Sequence, residues 1–244
     1  MKTQEGSSGS DIPIWLSRLG ILVGNEAVAK LQRSRVAVVG LGGVGSWAAE
    51  ALARSGVGRI MAVDGDIVSE SDLNRQLFST AQELGNPKAV AARRRIESSF
   101  PETRVKAVTE FFTAANSAFL FDFGPDVVVD AIDRFNDKVE LLTSCIEKGV
   151  PVVSSMGAGG RTDPTRVRTA DIGETSGCPL ARKVRSELRK RGISSGITAV
   201  FSTEPHRPAA TNDDSERAVQ GSCVWVTAVF GFCLAGVAAA ILTK

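Results

Sequence analysis

The sequence predicts an α/β protein built on a doubly wound, mostly parallel sheet, with a C-terminal extension that completes the same domain. Short β-branched segments alternate several times with amphipathic segments of helical length between residues 35 and 155. This alternation is typical of a parallel sheet whose strands are joined by helices. A length of 244 residues suits one large domain of this class.

A glycine-rich turn joins the first predicted strand to the first long helix. Its spacing matches the nucleotide-binding fingerprint at Gly40, Gly42 and Gly45. In that fingerprint the first glycine permits a tight turn, the second lets a phosphate approach the backbone, and the third lets helix and strand pack closely. The free N–H groups of the helix start then attract an anion. The order of these elements predicts a Rossmann-like nucleotide site.

Acidic residues follow two of the predicted strands. Asp64 and Asp66 come after the second strand, where a carboxylate can accept hydrogen bonds from ribose hydroxyls. Asp130 and Asp133 end a later strand on the side where open α/β sheets bind ligands. A carboxylate there could hold Mg²⁺ against phosphate oxygens.

Two cations, Arg75 and Lys88, lie between the second strand and the next helix, on the same predicted rim. Two positive charges beside a phosphate-binding turn suit a triphosphate better than a dinucleotide pyrophosphate. Each residue alone also has an ordinary explanation: Lys88 as a solvated helix lysine, Arg75 as a surface ion-pair partner and Asp133 as a turn residue. The prediction therefore depends on the combination.

The other elements follow in order. Asn25 is expected to cap a helix at 26–32, and Pro87 to start another at a favoured position. Further helices are predicted at 116–121, 138–148 and 179–191, and further strands at 105–108, 127–133, 151–155, 166–171 and 199–203. We expect a flexible tail at 1–12, one domain at 13–244, and a mobile loop at 205–220.

The apolar run at 224–242 raises the question of a membrane span, which would need roughly 20 apolar residues in a helix. Its β-branched start favours a strand that runs into a buried helix. We therefore expect this run to pack into the domain, without stable membrane insertion. The absence of a signal peptide and of paired cysteines predicts a cytoplasmic protein.

Taken together, the motifs of the first half resemble the ubiquitin-activating-enzyme-like superfamily, which includes the bacterial ThiF, MoeB and HesA proteins. Members adenylate a carboxylate with ATP and Mg²⁺. The motifs are Gly-x-Gly-Gly-x-Gly-Ser at 40–46, Asp-x-Asp at 64–66, Asn-Arg-Gln at 74–76, Lys88, and Asp-Ala-Ile-Asp at 130–133.

This resemblance implies roles for the matching residues. Gly43 would line the ATP phosphates, and Asp64 would hold the ribose. Phosphate contacts would come from Asn74, Arg75 and Lys88, and Asp133 would organise Mg²⁺. Arg18 matches an arginine that relatives insert into the partner subunit's site, which implies a homodimer. The neighbouring arginine of many relatives is Trp15 here.

The second half is similar to the tRNA threonylcarbamoyladenosine dehydratase group of this superfamily. The matching stretches are 154–160, 163–165, 170–172, 178–181, 200–204 and 226–231. The resemblance implies ATP-dependent cyclisation of N6-threonylcarbamoyladenosine in tRNA. The paired C-x-x-C zinc motifs common in ThiF and MoeB proteins are missing from the sequence.

Other functions stay open at this point. One is activation of a small sulfur-carrier protein, with sulfur-transfer partners, against which the missing zinc cysteines count. An NAD-dependent oxidoreductase or a non-catalytic nucleotide-binding protein would not require Arg75, Lys88 and Asp133.

A basic segment follows Pro179 and is a candidate for binding tRNA phosphates. The alternative is a solvated helix face, since runs of Lys and Arg are common on surfaces. Its cations are Arg182, Lys183, Arg185, Arg189 and Lys190.

Overall fold

The computed structural model describes residues 12–210 and 220–244. Most of the predicted tail at 1–12 and of the predicted loop at 205–220 lies outside the described residues, so both stay predictions.

A seven-stranded sheet forms the centre of the molecule, in the order β3-β2-β1-β4-β5-β7-β6. Only β6 runs antiparallel, against β7. The prediction of a mostly parallel, doubly wound sheet is therefore confirmed. The strands are β1 (Arg35–Val39), β2 (Arg59–Val63), β3 (Arg104–Val108), β4 (Val127–Asp130), β5 (Val152–Ser155), β6 (Val167–Asp171) and β7 (Thr198–Ser202).

Helices cover both faces of the sheet. They are α1 (Ser17–Val23), α2 (Asn25–Arg33), α3 (Gly45–Arg54), α4 (Lys88–Ser99), α5 (Ala118–Asp122), α6 (Phe135–Glu147), α7 (Pro179–Lys190) and α8 (Val224–Thr243). Two expected starts are wrong by one residue: Asn25 is the first residue of α2 and caps nothing with its side chain, while Pro87 directly precedes α4.

Each central strand contributes to two separate cores. Along β1, Val36 and Val38 pack on one face, while Ala37 and Val39 pack on the other. The first core contains residues of α3, α4 and α8, and the second contains residues of α6 and α7. A strand buried on both faces reads as a continuous apolar run, which explains why these segments lack polar alternation.

The C-terminal run corrects one prediction, because it is helical from its first residue and contains no strand. Val226, Phe230 and Leu234 recur every four residues and are fully buried, so burial along one helical face outweighs the β-branched start. The helix is long and apolar enough to cross a membrane, with a mean hydropathy of 2.2 and 44% of its apolar window buried. It packs into the domain on one side, but Trp225 and Phe232 stay 55% and 50% exposed.

Close contact between α8 and α3 depends on Gly231. A Cβ atom there would lie 2.6 Å from the Val44 carbonyl oxygen and 2.7 Å from the Trp47 Cβ. Gly236 on the same helix would meet nothing within 4 Å. Both glycines are therefore helical, but only Gly231 lies against α3, which makes Gly236 a suitable control.

We expect Gly231→Ala to destabilise the protein by about 1–3 kcal/mol through overpacking. Gly236→Ala is the matched control and should be neutral or stabilising by up to about 1 kcal/mol, because alanine favours helix. Urea unfolding measures both. Equal stabilities would contradict the close packing of α8 on α3.

Candidate nucleotide-binding site

A cavity of about 450 Å³ opens at the carboxyl ends of the central strands. It lies where β1 pairs with β2 on one side and β4 on the other, so successive connections leave in opposite directions. Ligands bind at such switch points in open α/β sheets. The cavity thus occupies the position that the glycine fingerprint predicts.

The glycine turn forms the floor of the cavity. Gly40 has a φ of 91°, and a Cβ there would lie 2.6 Å from the Ala131 carbonyl oxygen. At Gly45 a Cβ would lie 1.8 Å from the Gly40 carbonyl oxygen. Gly42 and Gly43 line the cavity, and a Cβ at Gly42 would meet only the Gln76 side chain, at 3.9 Å. The turn therefore exposes bare backbone at 42–43, while Gly45 serves the packing of α3.

Asp64 ties the end of β2 to this turn. Its Oδ2 accepts the Leu41 N–H at 2.7 Å and its Oδ1 accepts the Asp66 N–H at 2.8 Å. Burial raises the pKa of the Asp64 carboxyl, and those two N–H groups oppose that rise. Each oxygen keeps a further lone pair for a ribose hydroxyl.

The two predicted cations, Arg75 and Lys88, both line the cavity. Lys88 has a side chain only 9% exposed, and its Nζ lies 3.3 Å from Asp66 and 3.6 Å from Asp72. The Arg75 guanidinium lies 3.4 Å from Asp72 and donates to the Ser71 carbonyl. Both cations therefore lie beside the same carboxylate, that of Asp72.

Asp72 is a site residue that the sequence analysis missed. It is buried and lies between Lys88 and Arg75, and it also accepts a hydrogen bond from Gln76 at 2.6 Å. Ser69 shares a capping box with it. The Ser-x-x-Asp spacing at 69–72 could have identified Asp72 from the sequence. This spacing is typical of a capping box, in which hydrogen bonds hold the acidic side chain at the start of a helical turn.

The two acids after β4 have different environments. Asp133 is exposed, lines the cavity, and has no hydrogen bond or ion pair among the described residues. Asp130 is fully buried, and its Oδ2 lies 2.5 Å from the Lys138 Nζ. Asp130 faces the interior and cannot reach a ligand in the cavity. Asp133 is therefore the acid after β4 that stays a candidate for holding Mg²⁺.

Three residues that were predicted for the nucleotide site do not line the cavity. One is Gly45, which serves the packing of α3 instead. Asn74 is exposed, and its side chain donates to the Ser222 carbonyl at 3.2 Å and accepts from Arg75. Arg18 is exposed on α1. The proposed phosphate contact of Asn74 would therefore require a shift of its side chain, and Arg18 does not reach the cavity of its own chain.

An aromatic wall, also missed from sequence, closes the cavity after β3 and β4. It contains Phe111, Phe112 and Ile132. The Arg134 guanidinium lies 3.9 Å from the centre of the Phe111 ring and forms an ion pair with Asp137. These residues lie beyond the strand ends, where no periodicity marks them. The opposite wall comes from residues 155–159, Leu180, Gln220 and Ser222.

The basic helix α7 begins at this opposite wall, because Leu180 in its first turn lines the cavity. Arg182, Lys183 and Arg189 are exposed. Arg185 instead donates to Thr175, and Lys190 pairs with Glu187 at 2.8 Å. Two of the five candidate tRNA-binding cations, Arg185 and Lys190, therefore already have partners within the protein, and tRNA binding by the five residues stays a prediction.

The fold and this cavity define a nucleotide-binding α/β protein whose phosphate end is cationic. The family comparison gives the more particular assignment. The chain belongs to the ThiF family, whose model matches residues 16–244.

Similar proteins cover most of the chain. It is 44% identical over 203 residues to the tRNA threonylcarbamoyladenosine dehydratase of Bacillus subtilis, which covers 83% of this chain and 79% of that protein. The crystal structure of the E. coli enzyme, TcdA, in complex with ATP superimposes with a TM-score of 0.84 at 35% identity, over 97% of each chain. The sulfur carrier protein adenylyltransferase of Thermus thermophilus is 36% identical over 131 residues, which covers 54% of this chain and 48% of that protein.

Proposed function

We propose that this protein is an ATP-dependent tRNA threonylcarbamoyladenosine dehydratase, with residues 13–244 as its adenylating domain. The observation that carries the proposal is the similarity to an ATP-bound dehydratase over nearly the whole chain. The cavity supports it, since a glycine turn and two cations lie side by side at the switch point.

The proposed reaction makes a poor electrophile reactive. The substrate carboxylate attacks the α-phosphorus of ATP, and pyrophosphate leaves, which gives an acyl-adenylate. The carbamoyl nitrogen or oxygen of the same substrate then attacks the acyl carbon, AMP leaves, and the carbamoyl group loses one N–H proton. Because this second attack is intramolecular, proximity supplies much of the acceleration and no enzyme nucleophile is required.

Each group in the cavity has a place in this scheme. The backbone at Gly42 and Gly43 approaches the phosphates, and Arg75 and Lys88 neutralise charge on the departing pyrophosphate. Asp72 holds these two cations in position. Asp64 accepts from the ribose, and the aromatic wall at Phe111 and Phe112 offers the apolar surface that a nucleobase needs.

Mg²⁺ fits this arrangement. Within residues 12–210 and 220–244, no cluster of three metal-ligating side chains is present, which suits a cation held by one or two carboxylates and by phosphate oxygens. Asp133 is the exposed carboxylate on the cavity wall. When bound, the cation would supply charge stabilisation at the phosphates.

The second candidate function is adenylation of a small sulfur-carrier protein, which the Thermus similarity favours. That similarity spans only about half of each chain, whereas the dehydratases match the C-terminal half as well. The two functions differ in what stimulates pyrophosphate release, because the first requires modified tRNA and the second requires the tail of a carrier protein.

We expect Asp133→Ala to lower AMP formation with modified tRNA by about a hundredfold or more, because a charge-stabilising group is lost at the phosphates. Asp122→Ala, an exposed acid on α5, is the matched control and should retain activity.

Mass analysis of tRNA nucleosides should show loss of one water from threonylcarbamoyladenosine with the wild-type chain. If threonylcarbamoyladenosine kept its original mass after incubation with the protein and ATP, the dehydratase proposal would be contradicted.

A homodimer is the assembly that we propose, because large apolar side chains are exposed on α1 and α8. Ile21 and Leu22 are 87% and 81% exposed, and Trp225 and Phe232 are about half exposed. Large exposed apolar side chains can mark an interface when they are covered by a partner. Arg18 lies on the same exposed helix, and in the proposed dimer it acts in the partner's cavity.

Mixing Arg18→Ala and Lys88→Ala subunits should restore about a quarter of wild-type activity, since half of the random dimers are mixed and each has one intact site. Mixing Arg75→Ala with Lys88→Ala is the control and should restore nothing, because both residues line the same cavity. AMP formation after subunit exchange measures both. Recovery in neither mixture would contradict action of Arg18 in the partner subunit.

tRNA docking along α7 is proposed because this helix begins at the cavity wall and exposes cations in its first and last turns. A tRNA phosphate backbone along α7 would bring a modified nucleotide to the opening beside Leu180. A cytoplasmic location accords with such a substrate. The half-buried packing of α8 supports the proposal that this helix does not insert stably into a membrane.

We expect the triple variant Arg182→Ala, Lys183→Ala, Arg189→Ala to weaken tRNA binding and to flatten its log–log salt dependence by about 0.9 per lost phosphate contact. ATP affinity should stay unchanged, because these three side chains do not line the cavity. The control variant Arg33→Ala, Arg59→Ala, Arg104→Ala removes equal charge at the amino-terminal edge of the sheet. The measurement is a tRNA titration of each variant at several salt concentrations. Equal tRNA affinities of the two triple variants would exclude docking on α7.

A further inference from the structure

Lys138 of α6 forms a buried ion pair beneath the cavity. Its Nζ lies 2.5 Å from the Asp130 Oδ2 and donates to the Ser155 carbonyl at 3.0 Å. The Ser154 hydroxyl donates to the same carboxylate oxygen at 2.6 Å. Neither side chain of the pair has exposed surface. Such a pair is weak support for stability, because desolvating two charges costs about what their attraction returns.

The contacts of this pair lead to both walls of the cavity. The second Asp130 oxygen accepts the Ile132 N–H at 3.0 Å, and the segment that follows β4, residues 131–134, lines the cavity. From the other side, the Ala131 N–H donates to the Val39 carbonyl at 2.8 Å. Ser155, which Lys138 also contacts, lines the opposite wall. One ammonium group therefore joins the carboxyl ends of β4 and β5.

We propose that Asp130 is a positioning residue: it holds the Ile132 N–H and so sets the direction in which Asp133 enters the cavity. In this proposal Lys138 neutralises the buried charge of Asp130. The catalytic part of this inference rests on the proposed function. The competing explanation is that the pair only fills the interior and stabilises the fold. The two explanations differ in whether the hydrogen bond to Ile132 matters once the charges are gone.

A pair of double variants separates them. Substituting one partner alone leaves an uncompensated buried charge that disturbs the whole fold. Lys138→Met with Asp130→Asn removes both charges and keeps an amide oxygen that can accept the Ile132 N–H. Lys138→Met with Asp130→Leu removes both charges and the acceptor. The two proteins differ only at position 130, where Asn and Leu have the same branched arrangement of heavy atoms, so cooperative thermal unfolding should show that each is folded.

The first measurement is amide hydrogen exchange, followed by mass spectrometry. In the Leu variant, we expect exchange in peptides that contain residues 131–134 to accelerate by about tenfold, the effect of one net hydrogen bond. In the Asn variant, exchange of this segment should match that of the wild-type protein. Equal exchange in the two variants would overturn the proposal.

The second measurement is AMP formation at saturating ATP. We expect kcat to fall by about tenfold to a hundredfold in the Leu variant, because small displacements of a catalytic group have effects of this size, while the Asn variant stays near wild type. Equal kcat in both variants would overturn the catalytic part. A wild-type protein that forms no AMP would defeat the proposed function instead, and the exchange data would still decide whether the acceptor at Asp130 positions residues 131–134.

Discussion

The contact between the glycine turn and the end of β4 is the constraint on which the site depends. Gly40 and Gly45 leave no space for a side chain, because Ala131 and the turn's own backbone occupy it. This close approach holds α3 against β1, whose last residue, Val39, pairs with Asp130 at the end of β4. The cavity exists because the two strands are held together at their ends while their connections diverge.

The charged residues around this contact divide into a cationic phosphate end and two acids with different surroundings. Lys88 and Arg75 meet at the buried Asp72, so their positive charge is preorganised at the phosphate end. Such preorganised groups cost little rearrangement when a polyanion binds. Asp130, in contrast, has its charge cancelled inside the protein by Lys138. Asp133, three residues further on, is exposed to the cavity. Neighbouring acids thus differ in chemistry because one points into the core.

Much of the fold could be predicted from the sequence, because buried strands and amphipathic helices leave periodic signals. The glycines, Asp64, Arg75, Lys88 and Asp133 could be predicted because a recognisable motif fixes their spacing. Asp72 and the aromatic wall at Phe111 escaped, since their positions depend on loops that follow strands. The strand expected at the start of α8 was wrong because packing against α3, far away in sequence, decides its conformation. The engagement of Arg185 by Thr175 likewise requires the folded turn before α7.

The packing of α8 on α3 has a consequence for the order of folding. The helix that begins at the phosphate-binding turn is covered by residues from the far end of the chain, where Gly231 meets Val44 and Trp47. Contacts between such distant segments pay a large loop-closure entropy and form late. During synthesis, the apolar face of α3 therefore stays uncovered until α8 emerges from the ribosome. Apolar surface that is exposed during that interval favours aggregation of the nascent chain.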